Sequence, residues 1–312
     1  MTGLHAVRGP GRSPGPRGFG DAVVGREREI ELLLAGLDAG AHVVLEGPPG
    51  TGKTTLLRAI AEREGTEFVF VEGNAELTPA RLIGHFDPSQ VLTKGYSAET
   101  FVDGPLVEAL RSGGLLYVEE VNRVPEETLN VLITVMSEGE LHVPRLGVIV
   151  AAAGFRLVAA MNPFDAIGTA RISAAVYDRV CRIVMGYQSH GEESEIVARR
   201  SPEVPAQWRD RVVDLVRRTR EHDDLRVGSS VRGAIDVARV SVSLARLRGT
   251  EPTHWQVGFD AAMVGLSGRV AVREGCGRTA EAVIEELYTA VFGAKPTGED
   301  GDAAGGEPPG EA

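Results

Sequence analysis

Gly47 to Thr54 read G-P-P-G-T-G-K-T, a run whose residue types suit one chemistry, the cradling of a phosphate chain. Glycines at such spacing let successive backbone N–H groups turn toward an anion, and a helix that follows presents its positive end to the same charge. In this pattern Lys53 reaches the β- and γ-phosphates and the Thr54 hydroxyl ligates Mg²⁺. The nucleotide-binding stretch is Gly47, Pro48, Pro49, Gly50, Thr51, Gly52, Lys53, Thr54 and Thr55. The chain has only three lysines, Lys53, Lys94 and Lys295, so a chance G-x-x-x-x-G-K-[ST] match is rare. ATP and Mg²⁺ are the cofactors this implies, with hydrolysis as the reaction.

A second cluster of chemistry lies at Leu115-Leu116-Tyr117-Val118-Glu119-Glu120, an apolar run ending in two carboxylates. Nucleotide sites in parallel sheets form at the carboxyl ends of strands. Adjacent strand residues point to opposite faces. One carboxylate can therefore serve the Mg²⁺ shell, and the other the attacking water.

These groups need elements to hold them. His42–Glu46 reads as a short buried strand ahead of the loop, and Thr55–Ala61 has helical apolar spacing after it. Further β-like runs at 67–72, 114–119, 155–161 and 180–185 alternate with helical stretches, the pattern of an α/β parallel sheet. From about residue 189 the strand signals fade. Helix-length apolar periodicity then covers 192–200, 208–221, 230–247, 255–273 and 279–292. The expected organisation is an α/β nucleotide-binding core over 21–188 and a small all-α lid over 189–293. A disordered basic arm (1–20) precedes them and a disordered acidic tail (294–312) follows. The arm carries six glycines, three prolines and three arginines.

Composition narrows the class. Apolar residues make up 43% of 312, enough for a real core, and the net charge is −11. An acidic balance counts against a dedicated nucleic-acid binder. The seven histidines lack metal-ligand spacing. Cys181 and Cys276 form no C-x-x-C and read as reduced, buried thiols of a cytoplasmic protein. The most apolar window, 148–161, is broken by Gly154 and Arg156 and is too short to span a bilayer. It reads as two sheet-like segments around a turn.

The motifs together resemble the MoxR branch of AAA+ ATPases, in the helix-2-insert clade. The resemblance rests on G-P-P-G-T-G-K-T, then G-P-L-V-E-A-L (104–110), then V-E-E-V-N-R-V-P-E-E-T-L-N-V-L (118–132), where the branch reads D-E-I-N-R-A-P-P-E-T-L-N. It covers roughly residues 21–292. It implies an AAA+ P-loop core with a helical lid, and it implies roles. Thr54 and Glu119 would hold Mg²⁺, and Glu120 would activate the water. Asn162, before Pro163, matches the sensor-1 position. Arg179, in Y-D-R-V, matches a finger that reaches a neighbouring subunit's γ-phosphate, with Arg171 as the other candidate. Arg232, in G-S-S-V-R-G, matches sensor 2, with Ser229 or Ser230 as a helix N-cap. Val24-Gly25-Arg26-Glu27 resembles the entry motif beside the adenine pocket. Residues 77–101 resemble the helix-2 insert, and 141–155 the hairpin before sensor 1.

Two departures stand out. Glu119 occupies a position where the branch has aspartate, and Val231 stands where proline usually precedes the sensor-2 arginine. The resemblance further implies a homo-oligomer, a hexameric ring, a partner bearing a von Willebrand A domain, and remodelling of a client protein. Alternatives are the motor subunit of a metal chelatase, a helicase-type ATPase, and a nucleotide-gated scaffold that hydrolyses weakly.

Overall fold

The computed structural model describes residues 19, 22–163 and 174–296. The chain divides between Gln188 and Ser189 into two compact units.

The first unit opens with α1 (Glu27–Asp38), β1 (His42–Glu46), α2 (Lys53–Glu64) and β2 (Phe68–Glu72). There follow α3 (Pro79–Ile83), β3 (Gly84–Phe86), α4 (Pro88–Lys94), β4 (Phe101–Asp103) and α5 (Pro105–Ser112). Next come β5 (Leu115–Glu119), α6 (Glu126–Glu138), β6 (Glu140–Val143) and β7 (Gly147–Val150). The unit closes with β8 (Arg156–Met161), α7 (Ala174–Tyr177) and β9 (Val180–Val184). Five strands form one parallel sheet in the order β2-β5-β8-β1-β9. All five runs read from the sequence are its strands.

Strand alternation sorts the sheet's side chains into two cores. Val44, Val71, Leu116, Val118, Leu157 and Ala159 pack with α5 and α6 residues such as Leu106, Leu110 and Leu132. Val43, Leu45, Leu115, Tyr117, Val158 and Ala160 pack with Ile30 and Leu33 of α1 and Leu56, Leu57 and Ile60 of α2. This parity matters for the site, because it places Tyr117, and with it Glu119, on the α2 side.

The stretch 77–101 is structured by its own caps. Thr78 accepts from the Arg81 amide ahead of Pro79, and Asp87 accepts from Ser89 and Gln90 ahead of Pro88. Gly84 lets β3 and β4 approach, since a Cβ there would lie 2.2 Å from the Val102 carbonyl oxygen. The segment 141–155 contains an antiparallel hairpin, β6 with β7. Arg145 at its tip lies 4.0 Å over the Tyr96 ring.

The second unit holds α8 (His190–Arg200), α9 (Ala206–Glu221), β10 (Leu225–Val227), α10 (Val231–Arg248), α11 (Trp255–Leu266), β11 (Ala271–Val272) and α12 (Ala280–Phe292). Its core gathers Val212, Val216, Val237, Ala261, Ile284 and Tyr288. Two expectations need correction here. The helix expected over 255–273 ends at Leu266, because the chain turns through Ser267 and Gly268 and pairs Val272 with Leu225. That pairing, β10 with β11, is a strand signal that two- and three-residue elements are too short to show as periodicity.

Other differences are local. Cys181 is exposed and Cys276 only half-buried. The first stands on the edge strand β9, where only Ile183 is fully buried. Within the expected N-terminal arm, Phe19 is buried in the α2-side core, with the Arg63 guanidinium 4.3 Å over its ring. The rest of that arm, the tail from 297 and the candidate finger Arg171 lie outside the described residues.

Candidate functional site

The phosphate loop leaves β1 at Gly47, whose amide donates to the Met161 carbonyl at the end of β8. Gly50 (φ 76°) and Gly52 (φ 85°) take left-handed conformations that other residues resist, and Gly52 caps α2. The loop is braced from within by the Thr51 hydroxyl, which donates to the Pro48 carbonyl at 3.0 Å. Lys53 is the first residue of α2 and is buried; its Nζ donates to Gly47 O at 2.9 Å and Pro48 O at 3.0 Å. The ammonium is thus held inside the loop's curve. Pro49 and Thr55 are exposed on its outside.

Thr54 is half-buried and donates to Glu119 Oε1 at 3.1 Å. The hydroxyl and the carboxylate are hard oxygen ligands on facing elements, α2 and β5, the donor set Mg²⁺ takes when phosphates and water complete its shell. The residues present therefore fit that ion, although among the described residues no group of three His, Cys, Asp or Glu is placed to hold a metal by itself. Glu119 reaches this point because it shares strand parity with Tyr117. The Tyr117 hydroxyl lies 3.4 Å from Thr54 Oγ1. Burial raises the Tyr117 pKa far above its usual value, and the neighbouring Glu119 carboxylate adds to the effect.

Glu120 stands beside Glu119 but does not continue the strand. Its backbone is left-handed (φ 52°, ψ 43°) and opens a short 3-10 turn over Val121–Arg123. The carboxylate lies 3.1 Å from Arg123 Nε and is half-exposed. The two carboxylates part through this turn rather than by strand alternation, one toward Thr54 and the other toward Arg123.

Asn162 follows β8 directly and is half-buried. Since β8 lies between β5 and β1, the asparagine leaves the sheet between the Glu119 strand and the loop strand. Arg179 lies just after α7. Its guanidinium donates to Ala175 O at 2.8 Å and to the Ser137 hydroxyl of α6. Arg232 belongs to the second unit, in the first turn of α10, and is exposed. Ser230 is the N-cap residue there, but its side chain makes no capping bond, while the Ser229 carbonyl accepts from Arg220 at 2.7 Å.

The structure also brings in residues whose part the sequence did not disclose. Arg26 is buried in a left-handed conformation (φ 71°). It donates to Thr51 O at 3.1 Å and Gly186 O at 2.6 Å, and it pairs with Glu29. The entry motif thus touches the loop itself. Gly73 donates its amide to the Glu119 carbonyl at 2.7 Å. Glu46, at the end of β1, is buried and accepts from Tyr177 and Arg182. The one signal for Glu46 was a charged residue ending an apolar strand.

Residues 42–180 match the family described as AAA domain (dynein-related subfamily). The chain is 27% identical over 257 residues to the Bacillus subtilis (strain 168) protein YeaC, an alignment covering 71% of this chain and 75% of that one. It is 29% identical over 218 residues to the gas vesicle ATPase GvpN of Haloferax mediterranei, covering 65% of this chain and 62% of GvpN. Among solved structures, the Thermotoga maritima RuvB Holliday junction branch migration motor superposes with a TM-score of 0.52 at 18% identity, over 77% of this chain and 70% of that one. That likeness shows the fold alone. The chain has the AAA+ P-loop NTPase fold, with a five-stranded parallel sheet and a helical C-terminal region, and it is an ATPase.

Proposed function

We propose that the chain couples ATP hydrolysis to the remodelling of another protein, as a MoxR-type member of the AAA+ ATPases. The observation that carries this reading is the meeting of Thr54 and Glu119 at 3.1 Å beside a second carboxylate, Glu120, on the adjoining turn. The β3–β4 and β6–β7 pairs, at the positions of the helix-2 insert and the pre-sensor hairpin, support the same branch.

In this mechanism the loop amides and Lys53 neutralise phosphate charge. Thr54 and Glu119 would hold Mg²⁺, which when bound neutralises charge on the transferred phosphoryl group. Glu120 orients the water and accepts its proton. For that it must exchange Arg123 for the water, a local rotation of an exposed side chain. Asn162 contacts the γ-phosphate or the water. Arg179 acts in a neighbouring copy's site and Arg232 reports the nucleotide to the second unit. A finger acting in trans requires a homo-oligomer, and we propose a hexamer with a von Willebrand A domain protein as partner, in the cytoplasm. Among the described residues no helix is long and apolar enough to cross a membrane.

A second reading has its own support. Glu120 is paired with Arg123, and Glu119 stands where the resemblance has aspartate. Both favour a nucleotide-gated scaffold with slow turnover. One experiment separates the two. Wild-type protein and Glu120→Gln are compared for ATP turnover and for complexes retained with ATP. The remodelling reading expects turnover that Glu120→Gln abolishes, together with an oligomer and client held by the variant. Unchanged slow turnover in both proteins, with monomer only, overturns it.

A further inference from the structure

We propose that Glu46, Tyr177 and Arg182 form a positioning device that ties the root of the phosphate loop to the turn carrying Arg179. The inference rests on the reading of Arg179 as a finger for the neighbouring site. It adds that the finger's placement depends on the loop of its own subunit.

The network begins at a carboxylate where the sheet favours an apolar side chain. Glu46 ends a strand that is otherwise apolar beyond His42, and its side chain is 3% exposed. A buried charge of this kind is a weak route to stability and persists only with partners that satisfy it. Glu46 has two, from different elements. The Tyr177 hydroxyl donates to Oε1 at 2.7 Å, and Arg182 Nε donates to Oε2 at 2.7 Å. These bonds outweigh burial, which alone would raise the carboxyl's pKa, and hold it below the usual range. The carboxylate in turn helps push the Tyr177 hydroxyl up to about 12, after burial as the larger cause.

The donors bracket Arg179. Tyr177 is the last residue of α7, two positions before it, and Arg182 is on β9, three positions after. Tyr177 ends α7, so its bond to Glu46 helps fix where that end of the helix sits. The Arg179 guanidinium hangs between the Ala175 carbonyl of the same helix and the Ser137 hydroxyl of α6. Moving α7 against α6 therefore displaces the finger.

The loop side is equally tight. Gly47 follows Glu46, and its carbonyl accepts from Lys53 Nζ at 2.9 Å. A Cβ on Gly47 would lie 2.2 Å from the Met185 carbonyl oxygen, so the loop root has no slack against the end of β9. A shift of the loop around Lys53 is passed to Glu46, and through Tyr177 to the turn before Arg179.

The test is a double-mutant cycle on the assembled protein, reading kcat and KM for ATP and the equilibrium affinity for a fluorescent ATP analogue. Tyr177→Phe removes only the hydroxyl that donates to Glu46. Its expected effect is a fall of about tenfold in kcat, as for a misplaced reacting group, with KM and analogue affinity unchanged. In the Arg179→Ala background the same change should have no further effect, because Tyr177 acts through Arg179. Glu46→Gln keeps the shape, and a smaller fall of the same kind is expected. It serves as the second variant should Tyr177→Phe fold poorly. An equal fall in both backgrounds, or an unchanged kcat in the single variant, overturns the proposal. If Arg179→Ala alone leaves turnover intact, the finger reading has failed and the device falls with it, a result distinct from the additive one.

Discussion

The backbone of Gly73 lies against that of Glu120: a Cβ at Gly73 would sit 2.4 Å from the Glu120 carbonyl oxygen and 2.7 Å from that of Glu119. The Gly73 amide also donates to Glu119 O at 2.7 Å. The end of β2 thus fixes the turn where the two carboxylates diverge. Gly73→Ala must push that turn away. The expected cost is about 1–3 kcal/mol of stability, typical of an overpacked site. Turnover should fall at least tenfold on the order expected for a displaced base, with nucleotide affinity retained. Parallel measurement of kcat and of ATP affinity checks this. Loss of affinity with kcat preserved would mean that Gly73 serves the loop instead.

The Thr54–Glu119 pair yields a metal-specific expectation. Glu119→Gln removes the charge but keeps the length, so the bond from Thr54 survives as a neutral one. The Mg²⁺ concentration for half-maximal turnover should rise by about tenfold or more, since one carboxylate is the protein's main charge contribution to that shell. Affinity for ATP measured in EDTA should barely move. A titration of turnover against Mg²⁺ for both proteins reads this directly. An identical Mg²⁺ midpoint would place the ion elsewhere.

His42 gives a stability test independent of function. Its ring opens β1 and accepts from the Leu157 amide through Nδ1, which requires a neutral ring. Burial, and then the nearby Arg156 charge, lower its pKa from 6.5 to about 4. Above pH 6.5 both folded and unfolded forms are neutral, and the stabilisation is complete. Between 6.5 and 4 only the unfolded chain takes up the proton, so stability falls as pH falls. The full shift would amount to about 3 kcal/mol, and ~1–2 kcal/mol is expected after solvent screening. His42→Asn retains an acceptor and does not titrate there. Urea midpoints at pH 7 and pH 4.5 should therefore differ less for the variant than for wild type.

The loop, the strand carrying Glu119 and the alternation of elements were legible because each is local in sequence. The loop glycines, the apolar strand runs and helical spacing encode their own geometry. Glu46, Gly73 and Arg26 were not legible in their roles. Each acts on a residue brought close only by sheet order: Glu46 on β9, Gly73 on the turn after β5, Arg26 on the loop and on Gly186. The β10–β11 pair was missed for a related reason, since Leu225 and Val272 find each other across two intervening helices, α10 and α11.

Arg26 grips the loop from the entry segment 24–27. Its buried guanidinium joins Thr51 O, Gly186 O and Glu29, and it accepts a left-handed backbone to do so. For a side chain larger than glycine that conformation costs roughly 1–2 kcal/mol, so the clamp must return more than this. Arg26→Lys keeps the charge but offers a single ammonium in place of the planar fork, and so cannot serve all three acceptors. Arg26→Gly relieves the backbone and removes the clamp altogether. If the clamp shapes the loop, both variants should bind a non-hydrolysable ATP analogue about tenfold more weakly, consistent with one lost hydrogen bond of a charged group. The melting temperature should recover in part only for the glycine variant. Wild-type affinity in both, measured by calorimetric titration, would show that Thr51 holds the loop through its own bond to Pro48 and that Arg26 braces only the chain entry.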